Sequence, residues 1–159
     1  MRSVRCALLY SLDQAFTLST DLILELVNGG DLLTYIATHG AVRKFLLSSL
    51  DSQCLRYAAE AQVRRMAAQI CHAVAYIHSQ GIAHRDLKPE NVMVTATDPP
   101  DCKVADFGLA KLVGSGTFLK TMCGTPAYLA PEVMLRQSLK QGYDNRVDSW
   151  SLGVIFYCM

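Results

Sequence analysis

Asp86, Lys88 and Asn91 stand close together in the run Ala83-His84-Arg85-Asp86-Leu87-Lys88-Pro89-Glu90-Asn91. Twenty residues after Asp86 comes Asp106-Phe107-Gly108, and Ala130-Pro131-Glu132 follows further on. The residue types suit one chemistry. A carboxylate at 86 would orient a hydroxyl and accept its proton, while Lys88 can reach a transferring phosphate and stay beside Asp86. The amide oxygen of Asn91 and the carboxylate of Asp106 are the oxygen ligands a hard cation such as magnesium takes. Gly108 lets the backbone turn sharply next to Asp106. Together these groups fit phosphoryl transfer, which needs positioning and charge neutralisation more than covalent chemistry. An isolated aspartate is more often a surface or capping residue, but three motifs in order and at sensible spacing set that explanation aside.

The elements that must hold these residues follow from pattern. Two apolar runs, Cys6 to Tyr10 and Leu22 to Val27, read as short strands. Asn28-Gly29-Gly30 is a turn or hinge signal, and Asp31 stands near the N-cap of a helix reaching Thr38. The stretch from His39 to Arg56 has no clear period and reads as a long or partly helical connection. Tyr57 to Ser79 carries Val63, Met66, Ala67, Ile70, Val74 and Ile77 at three-to-four spacing, an amphipathic helix that Gly81 ends. Asn91 to Thr95 and Cys102 to Ala105 read as a hairpin around the two-proline turn 97–101. Gly114 to Gly124 is a loop rich in Gly, Ser and Thr. A short helix lies within Pro126 to Leu135, and a buried helix starts near Val147 with Asp144 or Asn145 as its cap.

Composition excludes several classes. The chain has 159 residues, of which 51% are hydrophobic and 18% charged, which argues against disorder and for one domain with an ordinary core. A formal net charge of +1 gives no global field that would favour nucleic acid or membrane. Six scattered cysteines form no C-x-x-C pair, so zinc and thioredoxin-like readings fail and a reducing cytoplasmic or nuclear compartment is expected. No signal peptide is visible, and the apolar stretch from Trp150 to Met159 is too short to span a bilayer. His39, His72 and His78 have no metal-ligand spacing and read as surface or helix-packing residues. No internal repeat or low-complexity tract is present.

The three motifs resemble the catalytic loop, magnesium loop and activation-segment end of a eukaryotic protein kinase. Lys88 and Gly124-Thr125-Pro126 look like the serine/threonine rather than the tyrosine class. Cys123 to Val133 and Gly142 to Ile155 are similar to the calmodulin-kinase-like group, with the closest look to checkpoint kinases that carry a forkhead-associated domain. The resemblance implies a protein kinase-like α+β fold, truncated: residues 1–27 a remnant of the small lobe and hinge strand, residues 28–159 a partial, mainly helical large lobe that ends inside a buried helix. It implies ATP and Mg2+ as cofactors and protein substrates with basic residues upstream of the acceptor. Activation would come from another kinase or from a second copy in trans.

The resemblance also assigns residues. Asp86, Lys88 and Asn91 would be catalytic, with Asn91 and Asp106 on the metal. Leu24 looks like the gatekeeper, Glu25 and Val27 like the hinge whose backbone reads adenine, and Met93 like the floor of that pocket. Asp31 looks like the acidic residue that touches ribose or a basic substrate residue, unless it is a helix cap or both. Glu90 is similar to the glutamate that favours arginine upstream of the acceptor; a solvated loop glutamate is the alternative. Arg85 matches the arginine that pairs with a phosphorylated loop residue. Thr121 matches that acceptor, ahead of Thr117 and Ser115. Thr125 looks like the threonine bonded to the catalytic aspartate and lysine. His84 and Phe107 look like packing residues of the active core, and Asp148 like a buried anchor for the catalytic-loop backbone.

The chain departs from the family pattern in what precedes these motifs. The first glycine is Gly29 and the first lysine Lys44, so no glycine-rich loop or phosphate-gripping lysine stands before Leu22. The arginine that usually pairs with Glu132 is absent, and the stretch 39–56 is longer than the pattern, through a real insertion or a retained intron-derived segment. The expected consequences are exposed apolar faces at Leu22 to Val27 and Trp150 to Met159, and transfer far below that of a complete kinase. Three readings stay open: a partial serine/threonine kinase domain, a catalytically dead binding module that competes for a full kinase's substrates or partners, and a gene fragment with no role of its own.

Overall fold

The hairpin that separates Asn91 from Asp106 is the centre of the architecture. The computed structural model describes residues 24–39, 52–113, 119, 122–135 and 143–159, with backbone alone at 39 and 52–59. Strands β2 (Val92–Val94) and β3 (Cys102–Val104) pair antiparallel, with Val92 opposite Val104, Met93 opposite Lys103 and Val94 opposite Cys102. A second antiparallel pair joins β1 (Ile82–Ala83) to β4 (Lys111–Leu112). The first pair is the expected hairpin; the second was not expected, because two-residue strands leave no period to read.

Helix α1 (Leu32–His39) begins where the Asp31 cap predicts. The carboxylate of Asp31 accepts from the Thr34 amide at 2.7 Å and from the Thr34 hydroxyl at 3.1 Å. The long helix α2 runs Ser52–Ser79. It starts before the expected Tyr57 because Ser-Gln-Cys-Leu-Arg holds neither glycine nor proline to oppose another turn. The rest of the 39–56 stretch, residues 40–51, lies outside the described residues. Met66, Ile70, Ala73, Val74 and Ile77 on α2 are buried. Gly81, at φ +71°, ends the helix region in the left-handed conformation that glycine adopts without penalty.

Helix α3 (Pro131–Met134) is one turn long and follows a 3-10 turn at Pro126–Tyr128. Helix α4 spans Arg146–Cys158. Asn145 occupies its cap position in a helical conformation and makes no side-chain cap bond. Asp144 does that work instead, accepting from the Arg146 amide at 2.9 Å.

Two apolar clusters hold these pieces. Leu32, Met66, Ile70, Val74, Leu87, Val92, Val94, Leu152 and Ile155 join α1, α2, the hairpin and α4. Ala83, Leu119, Ala130, Val133, Tyr143 and Val147 pack the second cluster beneath the segment that leads to α3. Leu87 thus ties the Asp86–Lys88 loop directly into the main core.

The strand expected at Leu22 to Val27 does not form over residues 24–27. Leu24 and Leu26 are 61% and 88% exposed, and no strand lies beside them among the described residues. An apolar run without a partner edge has no ladder to join. Leu22, Ile23 and the Cys6–Tyr10 run lie outside the described residues. Helix α4 buries one face through Val147, Ser151, Leu152 and Ile155, whereas Trp150 and Tyr157 stand 50% and 90% exposed.

Candidate active site

Asp148 fixes the backbone on which the site is built. It is fully buried on α4, and its carboxylate accepts from the amides of His84 and Arg85, each at 2.8 Å, and from His78 Nε2 at 2.7 Å. A buried carboxylate without such donors would be costly. The clamp holds Arg85 at φ +70°, a left-handed conformation that a branched or long side chain adopts only when its surroundings impose it. The strained residue lies directly before Asp86 and sets the direction in which Asp86 leaves the loop.

Asp86, Lys88 and Thr125 close a triangle. The Thr125 hydroxyl donates to Asp86 Oδ1 at 2.8 Å and accepts from Lys88 Nζ at 3.0 Å. Lys88 Nζ also lies 3.2 Å from Asp86 Oδ2. Asn91 completes the arrangement, its amide nitrogen donating to the Asp86 carbonyl at 2.8 Å and to Asp86 Oδ2 at 3.2 Å. Burial pushes the Asp86 carboxyl up, but the hydrogen bonds from Thr125 and Lys88 and the charge of Lys88 outweigh it and hold it below its ordinary value. An ionised carboxylate, an ammonium group and a hydroxyl therefore converge on one half-buried point.

Two residues whose oxygen donors suit a hard cation lie at this end of the hairpin. The nitrogen of Asn91 is committed to Asp86, which leaves its amide oxygen as the ligand atom. Asp106 is exposed, sits at φ +57° and accepts from the Gly108 amide at 3.2 Å. The antiparallel hairpin returns the chain so that Ala105 N donates to the Asn91 carbonyl at 2.8 Å, which brings Asp106 to the Asn91 end. The donor set, an amide oxygen and a carboxylate, is that of a hard cation.

His84 locks this corner. Its Nε2 lies 3.0 Å from the Ala105 carbonyl and its Nδ1 is 3.3 Å from the Asp86 amide. The tautomer with hydrogen on Nε2 satisfies both contacts. The ring packs at 4.9 Å, tilted by 55°, on Phe107. Arg85 Nε donates to the Leu109 carbonyl at 2.5 Å, tying the 84–91 loop to the segment after Asp106.

The remaining residues singled out by sequence lie at the periphery. Glu90 is exposed on the 3-10 turn Pro89–Asn91. Asp31 forms an isolated antiparallel bridge with Met93. The Glu25 carboxylate pairs with Lys103. Val27 is half-buried and Leu24 exposed. Thr121, Thr117 and Ser115 lie outside the described residues.

Sequence reasoning missed three groups. His78, read as a surface or packing residue, is a ligand of Asp148; its place in the last turn of α2 was the one local hint, since a basic residue suits a helix C-terminus. Tyr143 exchanges two backbone hydrogen bonds with Leu119, at 2.7 and 2.9 Å. Gln69 on α2 accepts from the Cys102 amide at 2.9 Å and donates to Asp101 at 2.7 Å, pinning the hairpin to the long helix. Nothing in spacing links residues so far apart.

The family model described as Protein kinase domain matches residues 4–159. The chain belongs to the protein kinase family. It is 41% identical over 145 residues to Serine/threonine-protein kinase RAD53 of Saccharomyces cerevisiae, covering 86% of this chain and 16% of that protein. It is 43% identical over 140 residues to Calcium/calmodulin-dependent protein kinase type IV of Mus musculus, covering 87% of this chain and 25% of the relative. A probable myosin light chain kinase of Dictyostelium discoideum is 41% identical over 162 residues, covering 100% of this chain and 41% of its own length. The chain thus spans less than half the length of these relatives. The chain has the kinase-like α+β fold of the family, and the family uses ATP and Mg2+ in general.

Proposed function

We propose that this chain carries the catalytic loop of a kinase that transfers the γ-phosphoryl group of ATP to serine or threonine hydroxyls of proteins. The observation that carries this reading is the triangle of Asp86, Lys88 and Thr125, closed by Asn91. Asp86 orients the incoming hydroxyl and takes its proton as the hydroxyl oxygen bonds to phosphorus and the bond from phosphorus to the leaving ADP oxygen breaks. Lys88, held by Thr125, keeps its charge beside the transferring group. Asn91 and Asp106 would hold the magnesium ion. Bound magnesium–ATP supplies the phosphoryl donor and neutralises its charge.

The backbone at Glu25 and Val27 reads adenine, with Leu24 as the gatekeeper, Met93 as the floor and Asp31 near the ribose or a basic substrate residue. Glu90 is exposed beside the loop, where its charge favours a basic residue upstream of the acceptor. Arg85 receives the phosphate of an activation-segment residue, Thr121 first, placed there by another kinase or a second copy of the protein. No helix among the described residues is long and apolar enough to cross a membrane, and Cys71, Cys102, Cys123 and Cys158 are free thiols. Free thiols suit the cytoplasm or nucleus. The test is transfer of labelled γ-phosphate to serine peptides with and without upstream arginine, using the natural full-length protein. Transfer that requires magnesium, favours the arginine peptide and falls with Asp106→Asn supports the reading. Transfer indifferent to magnesium and to Asp106 contradicts it.

A further inference from the structure

Residues 25–31 are seated on the β2–β3 hairpin. The Glu25 carboxylate pairs with Lys103 on β3. Asn28 Oδ1 accepts from the Ala96 amide at 3.3 Å. Gly30 O accepts from the Val94 amide at 2.8 Å, and Asp31 bridges Met93. Strand β2 therefore has β3 on one edge and Gly30 and Asp31 on the other.

Gly29 lies in the middle of these ties. A Cβ there would stand 2.3 Å from the Val94 carbonyl oxygen, 2.6 Å from the Thr95 carbonyl carbon and 2.7 Å from the Thr95 oxygen. All three are backbone atoms. They are held by the pairing of Val94 with Cys102 and by the 2.9 Å bond from the Thr95 amide to the Asp101 carbonyl. They cannot swing aside as the end of a long side chain would. Gly30 is a glycine for another reason: its φ is +82°, with nothing within 4 Å of a Cβ. Conformation requires the second glycine; contact requires the first.

We propose that Gly29 is a positioning residue for the nucleotide, setting the spacing between the hinge backbone and Met93. The proposal rests on the kinase reading above, in which the backbone at 25–27 and Met93 face the adenine from two sides. A methyl group at 29 must move away by roughly 1 Å to reach ordinary contact, lifting the hinge from the edge of β2. Asp86 and Lys88 are held separately, by Thr125 and by each other, on a loop whose backbone Asp148 clamps, and do not move with it. The loss therefore falls on adenine binding and not on the transfer step.

The experiment uses the natural full-length protein, with adenosine binding by calorimetry and steady-state kinetics as readouts. Gly29→Ala weakens adenosine and raises the KM for ATP by about tenfold or more, since an ångström of misplacement is costly in a fitted site. Its kcat at saturating ATP stays within about twofold and its peptide KM is unchanged. Gly81→Ala is the control: at φ +71° and 3.2 Å from the Val113 carbonyl it strains the backbone away from the hinge. It lowers the melting temperature while adenosine affinity stays within about twofold. A folded Gly29→Ala protein that binds adenosine as the parent does overturns the proposal, as does an equal loss in Gly81→Ala. If Gly29→Ala does not fold, the double variant Asn28→Ala/Lys103→Met decides, because it removes two ties without adding bulk. An adenosine loss of about threefold supports the seat, and unchanged affinity overturns it. A parent that binds neither adenosine nor ATP overturns the kinase reading and this inference together; a parent that binds both leaves the fault with Gly29 alone.

Discussion

Thr125 is the residue on which the chemistry of Asp86 turns. Its hydroxyl donates to the carboxylate and accepts from Lys88, so one side chain positions both groups and, with Lys88, holds the carboxyl below its ordinary value. Asp86 sits below its ordinary value in the folded protein. Its contribution to stability is therefore complete above the unfolded value and is lost as pH falls through the folded one. Thr125→Val removes the hydroxyl and should move the acid limb of the kcat/KM profile to higher pH; a limb that stays in place would show that Lys88 alone holds the carboxylate. Asp148→Ala leaves buried donors of His84, Arg85 and His78 without their acceptor. Urea unfolding of the variant should show a loss of about 3 kcal/mol or more. Burial pushes the Cys102 thiol up to about 12, whereas Cys71 and Cys158 are exposed. Alkylation followed by mass spectrometry should label Cys71 and Cys158 before Cys102, because the thiolate is the reactive form. At this scale much of the site was legible. The string from His84 to Asn91 singles out residues that converge in the fold, and Asp31 announces its cap. His78 was not legible, because its partner is seventy residues away and a histidine on a helix carries no mark of what it faces.

Helix α2 and the β2–β3 hairpin carry the loop between them, and both are visible in the sequence for physical reasons. Burial on one face of a helix demands apolar residues at three-to-four spacing, and Met66, Ile70, Val74 and Ile77 obey it. The β1–β4 pair and the Leu119–Tyr143 bridge were hidden, since elements of one or two residues are set by tertiary contact and leave no pattern. The strand expected at Leu22 to Val27 fails over its described part for a related reason. An apolar run marks a segment for burial, and it becomes a strand when another edge accepts its hydrogen bonds. Ile70 touches the core that binds α2 to the hairpin and α4. Ile70→Ala should cost about 2–5 kcal/mol in chemical unfolding, since it empties a site that is 1% exposed. A loss well under this would mean that the cluster repacks and that α2 is not the support of the loop.

Among the described residues of the whole molecule, Leu24, Leu26, Trp150 and Tyr157 stand exposed in the two stretches where the sequence predicts exposed apolar faces, and Leu112 and Leu135 are exposed as well. Exposed apolar surface of this kind promotes association. The 159-residue chain in isolation should elute above its 17.5 kDa mass in size-exclusion chromatography, and a sharp monomer peak would contradict that. The central claim concerns chemistry, and Asp86→Asn tests it most directly because the change keeps the shape of the side chain and removes its basicity. Measured on the natural full-length protein with a serine peptide, kcat should fall by about 100-fold or more while ATP affinity is kept. A variant that transfers phosphate at the parent's rate would show that Asp86 is not the base, and that the triangle with Lys88 and Thr125 is architecture alone.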